Sequence, residues 1–143
     1  MTNLVDQQTL ADRLRLTQRR VQQLEARGVI VRLPDGGYDF DRNQHRYRCF
    51  RDRDTVQVKL EIVQAAKDVD EMLALMRTKR RVSQRRRIAM ERGPAIGRLD
   101  DAMQLSNAMA DEHERQMLSD YTNMVVGRSM GEMFALCKWQ LAD

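Results

Sequence analysis

Thr17 and Gly28 bracket a stretch, QRRVQQLEAR, that fits one local structure: a short helix with a narrow apolar face. A threonine hydroxyl accepts hydrogen bonds from the orphan amides of a first helical turn. A glycine just past the last turn takes up the left-handed conformation at least cost. Between them, Val21 and Leu24 lie three apart, on one face. Upstream, Asp6 is placed to cap an earlier helix running to about Arg15, with Leu10 and Leu14 four apart on its inner face. Leu16 closes the turn between the two. The pattern therefore predicts two short helices, a tight turn apart, whose apolar faces meet.

Beyond Gly28 the chain reads as a hairpin. Val29, Ile30 and Val31 are β-branched and consecutive, Pro34-Asp35-Gly36-Gly37 is a turn signal, and Tyr38 and Phe40 flank Asp39 as in a half-buried strand. Asp41 is the expected cap of a third helix over about 42–53. Tyr47 and Phe50 on it should pack beneath the first two helices, with Ile30 and Phe40 completing the core. Such a core is marginal for about fifty residues alone, so help from a partner chain is expected. The expected fold is mainly α, with a winged helix-turn-helix domain at 1–54 and a helical oligomerisation and partner-binding region after it.

With Val21 and Leu24 inward, Gln18, Arg19, Gln22 and Gln23 face outward, and Arg15 and Arg20 flank them. Arginine can bond guanine bidentately and glutamine can do the same with adenine, each discriminating by about 1–3 kcal/mol. A rigid helix carrying such side chains matches a DNA major groove. Taken alone, a polar helix face more often simply meets water. The cap, the turn, the closing glycine and the wing favour double-stranded DNA as the partner. Thr17 and Arg32 join the candidate DNA-binding set, Arg32 from beside the wing, where phosphate or the minor groove is in reach. Arg42, Arg46, Arg48, Arg51 and Arg53 on the third helix read as solubilising charge, with one or two phosphate contacts among them.

From Thr55 a longer helix is expected to reach about residue 92. Ile62, Ala66, Val69, Leu73 and Met76 alternate at four and three, the seam of a two-stranded coiled coil or one face of a helix pair. A homodimer or a higher homo-oligomer is the expected use of 55–92. A basic run comes next (Arg77, Lys79, Arg80, Arg81, Arg85, Arg86, Arg87), read as a solvated face balanced by acidic neighbours in preference to a second DNA contact. Gly93-Pro94 with Gly97 should break the helix. Residues 93–143 form a methionine-rich helical region suited to adaptable partner binding, with Gly127 and Gly131 as candidate interruptions.

Charge supports this division. The chain carries a net +4 in 143 residues. Residues 1–53 hold 11 Lys and Arg against 7 Asp and Glu, 54–92 hold 10 against 6, and 93–143 hold 4 against 8. A basic front and an acidic tail suit nucleic acid at one end and another partner at the other. Catalytic patterns are missing: the chain has no phosphate loop, GxGxxG, HExxH or nucleophile elbow. An enzyme is not expected, nor is a cofactor. Cys49 and Cys137 stand far apart with no CxxC, and the acidic pairs Asp100-Asp101 and Asp111-Glu112 point different ways on helices, so no metal site is expected. No apolar run approaches a membrane span and the start is no signal peptide, so a cytoplasmic location is expected.

From Leu4 to Asp54 the chain resembles the N-terminal winged-helix domain of lambda-type small terminase subunits, itself similar to MerR-type regulators. The resemblance rests on Leu10-Ala11, on Thr17, Arg19, Val21, Gln22 and Leu24, on Gly28-Val29, on the Gly36-Gly37 wing with Tyr38 and Phe40, and on Phe50-Arg51-Asp52-Arg53-Asp54. It covers about the first third of the chain; the later helices match in organisation only. It implies recognition of a packaging-initiation site on viral DNA by a non-catalytic oligomer in a host cytoplasm. It also implies recruitment of a large ATPase and nuclease subunit through the region after about Leu99. DNA contacts carry over to Thr17, Arg19, Gln22 and Arg32. A MerR-like transcriptional regulator or an excisionase is the alternative, and an adaptor whose winged domain binds protein is a third. On this division, a chain cut at Leu99 should keep DNA binding and lose partner recruitment.

Overall fold

The computed structural model describes residues 3–139. Among them are seven helices and one two-stranded sheet, so the chain is mainly helical. Strand β1 (Leu4–Val5) leads into α1 (Gln7–Leu14) and α2 (Gln18–Arg27); strand β2 (Tyr38–Asp39) leads into α3 (Phe40–Arg51). Then come α4 (Thr55–Arg77), α5 (Val82–Arg92), α6 (Pro94–Ala108) and α7 (Glu112–Cys137).

The local signals of the first helices operate as their chemistry requires. Asp6 accepts from the Thr9 amide at 2.7 Å and Thr17 from the Arg20 amide at 3.1 Å. Gly28 closes α2 with φ +92°. Leu10, Val21 and Leu24 are sealed, and Val29, Ile30 and Tyr38 complete the same cluster. Phe40, Tyr47 and Phe50 reach it from its edge, half-buried.

The hairpin is different. Val29–Val31 is not a strand, and β2 pairs antiparallel with β1 instead, Leu4 opposite Asp39 and Val5 opposite Tyr38. The cause lies on α3. The Asn43 side chain accepts from the Val31 amide at 2.8 Å and donates to the Val31 carbonyl at 3.0 Å. Arg46 donates to the carbonyls of Val29 (2.9 Å) and Gly28 (2.7 Å). Buried backbone groups must find partners; here two side chains supply them, and no ladder is needed. The turn itself survives, with the Gly36 amide donating to the Leu33 carbonyl at 2.9 Å and Gly36 at φ +95°. The cap of α3 is Asp39, which accepts from the Arg42 amide, and not Asp41. The buried face of α3 is accordingly Asn43, Arg46 and Cys49.

The expected helix over 55–92 is two helices, α4 and α5, joined by a turn at 78–81. The seam on α4 is occupied within the chain: Val69, Leu73 and Met76 are buried in one cluster with Ile96 and Leu99 of α6, and Ile62 and Ala66 pack against it. Pro94 starts α6 at its first turn, where its missing amide costs nothing. A Cβ on Gly93 would overlap the Ala89 carbonyl oxygen, which explains glycine at that junction. Gly127 and Gly131 do not interrupt α7, which runs unbroken through both. Arg85 and Arg86 donate to the Leu136 and Cys137 carbonyls at its C-terminus, and Arg77 pairs with Glu132. These cations sit where the helix dipole is negative, so part of the basic run is structural.

The N-terminal helices are docked on α6. Ala108 belongs to the cluster of Leu10 and Val21, and Leu105 packs with Cys49 and Val58. Arg46, 1% exposed, reaches the Asp101 carboxylate at 2.5 Å and its carbonyl at 2.8 Å, and Arg42 reaches the same carboxylate at 2.6 Å. A chain cut at Leu99 would lose this floor, since Asp101, Leu105 and Ala108 all lie beyond the cut.

Candidate nucleic-acid interface

The outer face of α2 is the candidate surface. Val21 and Leu24 are 0% and 1% exposed, and that orientation leaves Gln18, Arg19, Arg20, Gln22 and Gln23 exposed. Arg19 and Gln22 make no side-chain hydrogen bond or ion pair among the described residues, so their donors face solvent. Arg20 leans along the helix, donating from Nη1 to Gln23 Oε1 at 3.3 Å. Thr17 spends its acceptor on the helix cap, which fixes where α2 begins. The helix has no acidic residue in its first turn to repel a phosphate.

Arg15 lies exposed at the end of α1, its backbone in the left-handed region at φ +58°. It stands at the turn ahead of α2 and lines a shallow cleft with Arg13, Arg48 and Arg51. Arg32 is placed otherwise. It pairs with Glu25 at 3.0 Å, donates to the Tyr38 hydroxyl at 2.8 Å and stacks over the Tyr38 ring. The Tyr38 hydrogen bond, then the Glu25 charge, hold its pKa above the ordinary arginine value. With its side chain 47% exposed, Arg32 is fixed beside α2 and only partly available to a ligand.

Of the third-helix arginines, Arg42 and Arg46 are internal latches and Arg51 pairs with Asp52 at 2.9 Å. Asp101, read from the sequence as half of an acidic pair, is their shared counter-charge. Among the described residues no group of His, Cys, Asp and Glu could hold a metal. Cys49 and Cys137 are buried free thiols whose pKa is raised, first by burial. No helix among the described residues is long and apolar enough to cross a membrane.

No family model, curated protein or solved structure matches this chain. The chemistry of the site therefore rests on its own residues.

Three arginines outside the expected set converge near α2: Arg27 on its flank, Arg53 after α3 and Arg115 on α7. Arg27 and Arg53 belong to stretches visibly rich in arginine. Arg115 lies in the acidic tail, 88 residues beyond Arg27 by numbering, and no local pattern joins them. A cleft of about 320 Å³ between α3, α4 and α6 was equally illegible; His45, Glu61, Asp68 and Arg98 rim it above Ala65 and Ala102.

Proposed function

We propose that the chain is a sequence-selective, non-catalytic binder of double-stranded DNA, with residues 1–54 acting as a winged helix-turn-helix and α2 as the helix that enters the major groove. One observation carries this reading: Val21 and Leu24 are sealed inside while Arg19, Gln22 and Gln23 stand exposed on the opposite face. Arginine and glutamine on a rigid helix can each make bidentate bonds to base edges. The wing of the motif is here the Leu33–Gly37 turn, closed by its own backbone bonds, while Asn43 and Arg46 hold the Val29–Val31 backbone that leads into it.

Within that reading, we favour a small-terminase-like role: marking a packaging-initiation site and recruiting a large catalytic subunit. The support is the shape of the rest of the chain. On α7, Met117, Tyr121 and Met124 form an exposed apolar stripe at spacings of four and three, a surface suited to a partner helix. On α4, Val56, Leu60 and Val63 form a second such stripe, opposite the seam that α6 covers. Self-association is assigned to that outer face, since the inner one is already used. A ligand-responsive regulator is the second reading, and the cleft between α3, α4 and α6, at the junction of the two halves, favours it.

The test is selection of a preferred site from random duplexes, followed by comparison of parent and Arg19→Ala/Gln22→Ala. The double variant is expected to bind random DNA nearly as the parent does and to lose its preference for the selected site, by roughly tenfold or more for two lost bidentate contacts. Unchanged preference refutes the assignment of α2.

A further inference from the structure

The cleft that joins α2 to the C-terminal helix gathers more cations than carboxylates. Five arginines line it: Arg51 of α3, which pairs with Asp52, and four others, Arg20 and Arg27 from α2, Arg53 from the α3–α4 connection and Arg115 from α7. Among the described residues none of the four forms an ion pair, and the carboxylates lining the same cleft are Asp111 and Glu112. Arg27 and Arg115 are each aimed by a single backbone bond through Nε, to the carbonyls of Ala108 (3.0 Å) and Ala110 (3.0 Å). Arg27 also lies over the Phe50 ring, 4.9 Å from its centroid. The terminal nitrogens of both arginines make no hydrogen bond among the described residues. Burial, then the neighbouring charges of Arg115 and Arg20, hold the Arg27 pKa below the ordinary arginine value. Glu112 offsets part of this repulsion, and the cleft's five arginines still outnumber its two carboxylates.

Arg53 stands just past the C-cap of α3, where a left-handed residue closes the helix and the Asp54 amide donates to the Cys49 carbonyl at 2.9 Å. Its backbone lies at φ +52°, a conformation that glycine adopts freely and that costs a branched or long side chain energy. Its guanidinium makes no hydrogen bond or ion pair among the described residues.

The cleft also lies in the right place. On a helix turning about 100° per residue, Arg20 and Arg27 fall on the flank next to Gln23. A duplex with its major groove on Arg19 and Gln22 brings one sugar-phosphate strand past that flank. We propose that this cleft is a phosphate site, holding a phosphodiester of the same duplex whose groove α2 reads. It follows that α7, at the far end of the sequence, contributes Arg115 to the DNA surface. This rests on the reading of α2 given above and extends it.

The test uses the full chain, random-sequence duplex and a series of salt concentrations, with Arg115→Ala and Arg53→Gly as variants. Glycine at 53 relieves the backbone, so loss of binding there cannot be put down to a damaged fold; thermal melts of both variants confirm this. Each variant is expected to reduce the slope of log affinity against log salt by about 0.9, which shrinks the affinity ratio between about 50 and 200 mM salt by roughly threefold to fourfold. Arg19→Ala/Gln22→Ala should leave preference for a selected site lost and this cleft's contribution intact. Parent-like slopes in both cleft variants, with the parent still binding duplex, overturn the phosphate site and leave the α2 reading standing. A parent that binds no duplex at any salt overturns both. Calorimetric titration with inorganic phosphate at matched ionic strength separates the sources. Phosphate binding lost in Arg115→Ala, with an unchanged duplex slope, assigns the cleft to a free phosphate ligand and also overturns the proposal.

Discussion

Asp101→Ala is the substitution that most directly probes how the two halves are joined. Arg46 is 1% exposed and spends its guanidinium on the Gly28, Val29 and Asp101 carbonyls and on the Asp101 carboxylate. Burial lowers the Arg46 pKa more than the carboxylate raises it, so the charge is held at a cost that Asp101 offsets. Removing one partner of a buried pair strands the other and costs about 3–5 kcal/mol. The Asp101 side chain is 28% exposed, so water can partly replace it, and the lower end, about 3 kcal/mol, is expected. Against a total stability of about 5–15 kcal/mol that is a large fraction. At this chain length it corresponds to a fall in Tm of roughly 10 °C. Urea unfolding followed by circular dichroism measures it. Arg46→Met in both backgrounds closes a double-mutant cycle, with a coupling of about 1–3 kcal/mol expected because the stranded charge is then gone. A single-variant loss below about 0.5 kcal/mol, or no coupling, refutes the latch.

Two further outcomes rest on local contacts. Asn43→Leu keeps the branching at Cγ and removes three hydrogen bonds, to Val31 N, Val31 O and Asp39 O; a loss of about 3 kcal/mol is expected from the buried groups left unpaired, with faster exchange of the Val31 amide. Exchange at the parent rate would mean that Asn43 does not hold that segment. Asp6 has its pKa lowered below 3.8 by the Thr9 amide and hydroxyl, so its stabilisation of α1 is complete above that value and is lost as pH falls through the lower folded one. Asp6→Asn should therefore flatten the acid limb of the unfolding curve below about pH 4; an unchanged limb would show that the cap carries no such linkage.

The candidate site was legible in the sequence to the extent that it is local. Thr17, Val21, Leu24 and Gly28 settle which way α2 faces within three turns, because a cap, a helical period and a left-handed terminus are all closed by neighbours in the chain. The same holds for Asp6 and α1. The cleft formed with Arg115 had no such signal, since α2 and α7 lie far apart in the sequence and α6 brings them together.

For the fold, the sequence by itself determined α1 and α2, their caps and their inner faces; it misplaced the cap and buried face of α3 and ran α4 and α5 together. Tertiary structure decided the partners. Val29–Val31 has the composition of a strand, yet Asn43 and Arg46 take its backbone hydrogen bonds first, and Tyr38 finds its strand partner at Val5. The seam on α4 has the period of an intermolecular coiled coil, yet α6 lies closer than any second chain and fills it. Apolar periodicity states that a face must be buried; it carries no information about which surface covers it, because dispersion and the hydrophobic effect are non-directional. That choice falls to contacts dozens of residues apart, here fixed by Arg42, Arg46 and Asp101.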